Sequence, residues 1–183
     1  MMSSDVPRTR PEIDREAKVA EILSAAERRL LDGGYESLSV AAIARELGLA
    51  QNAIYWYFPS KNDLFVAALR RHLQEMAARK PSSDAGIDER ILFFAEGFAV
   101  LFDLRGALTE QARQAEVVAT FAKELDALVG RMLTNALRPR VTAKDLPAAT
   151  EALRAAIIGT YAQGLDPRAR RRLLKFVLER LTP

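Results

Sequence analysis

The chain has 183 residues, no cysteine, a single histidine and a formal net charge of +3. Such a length suits one domain, or two small ones sharing a core, and the lack of cysteine excludes disulfides, thiolate zinc sites and cysteine nucleophiles, which fits a cytoplasmic setting. No apolar run approaches the ~18 residues of a membrane-spanning helix, and charge near balance on both sides of residue 80 gives no bulk signal for nucleic acid, so a nucleic-acid function must rest on local geometry.

In chain order, "MMSSDVPRTRPEIDRE" mixes proline, arginine and acids without the apolar run of a signal peptide, and residues 1–13 read as a flexible arm. Val19, Ile22, Leu23, Ala26 and Leu30 recur at three- and four-residue steps and predict a helix from about Asp14 to Leu31, ended by Gly33-Gly34. "SVAAIARELG" predicts a short helix capped by Ser39, with Val40, Ile43, Ala44 and Leu47 on one face and a stop at Gly48. A second short helix covers about Gln51 to Tyr57, and Pro59 breaks it. Ser60 then caps a long helix, with Asp63 three residues on, and Leu64, Ala68, Leu69, Leu73 and Met76 carry its apolar face to about Lys80. "PSSDAG" at 81–86 is the clearest linker. Further helices are expected at about 87–104, 108–137, 147–165 and 168–181, with a break near Gly106 and with Asp166 and Pro167 opening the last. Nothing alternates with a β period. The fold class is all-α with about nine helices, divided as 14–59, a connecting helix at 60–80, and 81–183.

Residues 39–58 carry the most specific pattern. Two short helices joined by a glycine-containing turn form a helix-turn-helix candidate. Ala44 is small where the helices must cross, Gly48 can take a positive φ, and Ile43, Leu47, Leu49 and Ile54 are apolar where they bury. Gln51, Asn52, Ala53, Tyr55, Trp56 and Tyr57 are left on or near the free side. Gln and Asn can pair bidentately with adenine, Ala can touch a thymine methyl, and Tyr hydroxyls can bond phosphates. The four consecutive aromatics Tyr55–Phe58 divide on this reading: Phe58 and part of Trp56 anchor the helix, while Tyr55 and Tyr57 face a backbone. The competing reading puts all four in the core.

The run "GGYESLSVAAIARELGLAQNAIYWYFPSKNDLFVAAL", residues 33–69, resembles the TetR family of bacterial transcriptional regulators. It is carried by Gly34-Tyr35, Ser39, Ile43-Ala44, Leu47-Gly48-Leu49, Tyr55-Trp56-Tyr57-Phe58 and Lys61-Asn62-Asp63-Leu64. The resemblance implies an N-terminal three-helix DNA-binding domain and a larger helical ligand-binding and dimerisation domain. It also implies a homodimeric repressor that binds palindromic double-stranded operator DNA and is released by a small-molecule effector, with no cofactor, metal or membrane partner. On it, Gln51, Asn52 and Ala53 reach base edges, Tyr55 and Tyr57 hold phosphates beside Trp56, and Lys61 and Ser39 add phosphate contacts. This chain departs from the pattern at Ala50, where relatives often have Ser, at Val40 in place of Thr, and at Asn52 and Ala53, where Gly and Thr are frequent.

In the remainder, Phe94, Phe98 and Phe102 recur every fourth residue of one expected helix, with Phe121 further on. They read as core, or with Met76 as the wall of an effector cavity suited to an apolar or aromatic ligand, where Glu96, Asp103 and Arg113 are the charges placed to select. Ala155, Ala156, Gly159 and Ala162 on one helix, with Leu173, Leu174, Val177, Leu178 and Leu181 on the next, are the expected dimer interface. His72 reads as a partly buried polar residue, with a contact in the ligand pocket as the alternative. The cluster Arg168, Arg170, Arg171, Arg172 and Lys175 reads as a solvated or dimer-edge face, because cations at a helix start oppose its dipole. Arg8 and Arg10 are disordered, or enter a minor groove. Two rival functions are an all-α enzyme acting on a hydrophobic small molecule, which one histidine and no cysteine make hard to build, and a protein–protein adaptor using the Tyr-Trp-Tyr patch.

Overall fold

The structure, a computed structural model, describes residues 10–82 and 84–182, with side chains from Asp14 onward. Arg8 lies outside the described residues, as does the Arg10 side chain. Ten helices and no strand occur among the described residues. The chain divides between Leu73 and Gln74 into two compact units.

The first unit contains α1 (Arg10–Ser37), α2 (Val40–Glu46), α3 (Gln51–Tyr57) and most of α4 (Lys61–Ala78). Ile22, Ala25, Ala26 and Leu30 of α1 are buried, as are Ile43 and Ala44 of α2, Ile54 of α3, and Leu64, Phe65 and Leu69 of α4. They make one core from the helical periodicity of the sequence. Gly34, at φ 68° and ψ −164°, breaks the end of α1 and delivers Tyr35. The Tyr35 ring packs edge-on against Phe65 at 4.9 Å, and its hydroxyl donates to Asn62 Oδ1 at 2.8 Å. Burial raises the Tyr35 pKa, with nearby Glu36 adding to the rise. α1 and α2 are tied by Glu46, which accepts from Arg28 Nη2 and, at 2.9 Å, from Arg29 Nη2. The Arg29 and Arg28 hydrogen bonds hold the Glu46 carboxyl below its ordinary pKa. His72 is partly buried, as the sequence suggested, with Nδ1 3.0 Å from Glu27 Oε1.

The second unit contains α5 (Ile87–Gly97), α6 (Ala99–Asp103), α7 (Arg105–Gln114), α8 (Glu116–Leu137), α9 (Leu146–Ala162) and α10 (Pro167–Leu181). Its core joins Ile91, Leu137, Leu153, Leu174 and Leu178 from four different helices, and all five are fully buried. Two expected long helices are divided here. Residues 87–104 break at Phe98, and the break expected at Gly106 falls instead at Leu104 (φ −86°, ψ 0°), with another at Ala115 (φ −139°, ψ 121°). Gly97 ends α5 just before the first break, while no Gly or Pro stands at Leu104 or Ala115 themselves. Packing redirects the chain so that α5, α6 and α7 each turn an apolar face inward, which local propensity does not encode.

The start of α10 follows the expected chemistry. Asp166 Oδ1 accepts from the Arg168 and Ala169 N–H groups at 2.8 and 3.0 Å, and these two bonds, Ala169 first, lower its pKa. A depressed folded-state pKa means that the stabilisation is present above the unfolded aspartate value of about 3.9 and is lost as pH falls through the folded value. Asp166→Asn keeps an accepting oxygen but cannot titrate. Its melting temperature relative to the parent is therefore expected to rise as pH drops from 7 toward 3, as followed by circular dichroism. A pH-independent difference would contradict this role of the carboxylate.

Candidate nucleic-acid interface and ligand cavity

α2 and α3 are short, and the turn between them decides how α3 is presented. Ser39 Oγ caps α2 by accepting from the Ala42 N–H at 3.2 Å. Gly48 closes the turn at φ 65°, a value that L-residues with side chains resist. The Leu49 N–H then donates to the Ala44 carbonyl at 2.8 Å, drawing α3 across the buried methyl of Ala44. Ala50 gives α3 no side-chain cap.

α3 is anchored on one side and bare on the other. Ile54 and Phe58 are buried, while Gln51, Asn52, Tyr55 and Trp56 are exposed; Ala53 and Tyr57 are half-buried at the edge. The expectation that Trp56 partly anchors the helix does not hold: it is the most exposed of the four aromatics at 69%, against 40% for Tyr55. At i and i+4 of a helix, Asn52 and Trp56 share a face opposite Ile54 and Phe58. Trp56 stacks edge-on against Tyr57 at 4.9 Å, and the Arg15 guanidinium of α1 sits 5.2 Å from its ring. That pair links residues 41 positions apart and had no signal in the local sequence. Lys61 opens α4 with its ammonium 3.9 Å above the Tyr35 ring. Ser60 Oγ accepts from the Asp63 N–H at 3.1 Å and donates to Asp63 Oδ2 at 2.6 Å, which fixes that first turn.

The second unit holds a cavity of about 610 Å³. Phe94, Phe98 and Phe102 line it, brought together from α5, the α5–α6 junction and α6 rather than from one helix. Met76 and Phe121, also expected there, are not in its lining. The Met76 thioether lies over Gly97, where a Cβ would stand 2.2 Å from the sulfur, and Phe121 is buried. Among the charges expected to select, Arg113 lines the cavity, while Glu96 and Asp103 do not. The sequence reading missed Arg105, Asp126 and Arg154, which do line it. The signal for Arg105 lay in α7, where Arg105, Leu108, Thr109, Ala112 and Arg113 all face the cavity at i, i+3, i+4, i+7 and i+8. Arg154 and Asp126 come from different helices and pair through Nη1 and Oδ1, so periodicity could not find them.

Behind the wall, Phe102 stacks on Tyr161 at 4.3 Å with the planes 10° apart. The Arg170 guanidinium of α10 caps the other face of Tyr161 at 3.7 Å, and the tyrosine hydroxyl donates to the Ala95 carbonyl. Burial raises the Tyr161 pKa, and Arg170 opposes the rise. Arg170 thus has a packing role within the protomer, unlike a purely solvated cluster.

The expected dimer face needs correction. Leu174 and Leu178 are fully buried in the protomer's own core and have no surface to offer a partner. Val177, Leu181 and Ala156 are half-buried against that core. Ala155 and Ala162 are exposed, and a Cβ built at Gly159 meets nothing within 4 Å. Leu173 at 40% and Phe176 at 54% are the exposed large apolar residues of α10, and Phe176 was missed by the sequence reading. The reason is a rotation of α10 that turns 174 and 178 inward and 173 and 176 out.

The class is therefore an all-helical protein with a helix-turn-helix unit and a separate cavity-bearing helical unit. Residues 22–68 match the family model for bacterial regulatory proteins of the tetR family, so the helix-turn-helix unit is similar to the DNA-binding part of that family. An HTH-type transcriptional regulator of Mycobacterium bovis is 42% identical over 55 residues, 30% of this chain and 24% of that protein. The HTH-type transcriptional repressor KstR of Mycobacterium tuberculosis is 33% identical over 110 residues, 57% of this chain and 50% of that protein. The chain thus spans about a quarter to a half of the length of these curated relatives. The fold resembles that of a putative transcriptional regulator from Saccharomonospora viridis in complex with choline, with a TM-score of 0.71, 20% identity and coverage of 90% of this chain and 96% of that one. No described helix is long and apolar enough to cross a membrane.

Proposed function

We propose that the protein is a transcriptional repressor that binds operator DNA as a homodimer and is released by a small molecule held in the second unit. The observation that carries this reading is the divided α3: Ile54 and Phe58 fix it, and Gln51, Asn52, Tyr55 and Trp56 are exposed together. A helix held on one side and polar-aromatic on the other is what a major groove admits. Gln51 and Asn52, with Ala53 at the edge, reach base edges. Tyr55, Tyr57, Lys61 and Ser39 contact phosphates, and Trp56 lies beside them.

Two half-sites one DNA turn apart require a two-fold dimer. Ala155, Gly159 and Ala162 with Leu173, Phe176 and the exposed part of Val177 supply its apolar face. The cavity supplies the switch, and the choline complex of the S. viridis regulator supports a ligand in this fold. Coupling runs through α4, which bears Lys61 in its first turn and Met76 in its last.

The experiment is binding to duplex DNA over a range of salt. Lys61→Ala is expected to weaken all duplexes alike by ~1–3 kcal/mol and to make the salt slope shallower by about one. Gln51→Ala or Asn52→Ala is expected instead to change which bases matter. An unchanged salt slope in Lys61→Ala would remove its phosphate role.

A further inference from the structure

We propose that the cavity selects an amphipathic anion, a molecule with an apolar body and one acidic head, and that Arg105 holds the head. The inference rests on the reading of the cavity as the effector site and adds the charge class of the effector. The body is set by Phe94, Phe98 and Phe102 with the apolar face of α7. The head is set by the charges in the lining, which are Arg105, Arg113 and Arg154 against Asp126 alone. Two of the three cations are already compensated. Arg154 donates to Asp126 and stands 3.6 Å from Glu151, and Arg113 stands 3.4 Å from Glu110. Arg105 has no carboxylate within 4.0 Å among the described residues, and its side chain sits at the exposed edge of the cavity. A neutral ligand leaves that charge to water, and a cationic one is repelled by it. An anion gains a charge-assisted hydrogen bond with fork geometry. Asp126, the one acid in the lining, is already paired through Oδ1 with Arg154.

The test uses three probes of equal chain length, decanoate, decanol and decyltrimethylammonium, each below its micelle concentration, titrated calorimetrically into the full chain at low salt. Decanoate is expected to bind about tenfold tighter than decanol, the ~1.4 kcal/mol of one partly screened charged contact, and the ammonium probe weakest. Arg105→Gln is expected to bring decanoate to within about twofold of decanol, Arg105→Glu to favour the ammonium probe, and Arg113→Gln to keep most of the preference. Arg105 is exposed and makes no side-chain contact the core needs, so these variants fold, which their melting curves check. Decanol binding without a charge preference, or a preference that survives in Arg105→Gln, overturns the anion proposal and leaves the effector reading standing. Failure of all three probes to bind overturns both.

Discussion

Replacing Ile54 with alanine is expected to destabilise the helix-turn-helix unit by about 2–5 kcal/mol, the range for emptying a fully buried aliphatic site, and to abolish specific DNA binding. Ile54 has no solvent exposure and is the one buried residue within α3 itself. α3 has only seven residues, too few to hold a helix in water without tertiary packing. Its exposed face is therefore ordered only while Ile54 and Phe58 are seated. Gln51→Ala, three residues away, is expected to change stability by no more than about 0.5 kcal/mol, because it removes an exposed side chain. Urea denaturation of the two variants separates anchoring from recognition. Equal stability of Ile54→Ala and the parent would show that α3 is held some other way.

The second large effect is the exchange between ligand and DNA. A ligand can release DNA only if it binds the off-DNA shape better, and a coupling of ~1–3 kcal/mol changes operator affinity by roughly 5- to 150-fold. Linkage requires that operator DNA weaken ligand binding by the same factor. Phe98 is 7% exposed and lines the cavity, so Phe98→Trp is expected to fill space, lower ligand affinity and leave DNA binding without ligand intact. Calorimetric titration of a binding ligand with and without operator measures the coupling. Equal affinities in the two titrations would remove the switch and leave the DNA-binding reading in place.

Local signals in the sequence were enough for the helices, turn and core of the first unit. Ser39, Gly48 and the Ile43–Ile54 spacing act within one or two turns of chain, so they can be read residue by residue. Trp56 was misplaced because its surroundings depend on α1, which brings Arg15 beside it from 41 positions upstream. The second unit was legible as helices but not as breaks. Leu104 and Ala115 are helix formers that end helices because packing turns the chain there, and Gly97 before Phe98 was a local signal left unread. Leu174 and Leu178 were assigned outward because an apolar stripe does not say which of two partners it meets, the protomer's own core or a second copy. Arg105 and Arg154 were missed for a related reason: a charge facing a cavity looks like any solvated charge until the opposite wall is known.

The central claim is that the exposed face of α3 reads duplex DNA. The most direct test is selection of the purified full-length chain against a pool of random-sequence duplexes, followed by titration of the enriched sequence over a salt series. The expected result is an inverted repeat with half-site centres about 10 base pairs, or one helical turn, apart, bound with an affinity that falls steeply as salt rises and lost in Ile54→Ala. No enriched sequence, together with binding that ignores salt, would contradict it.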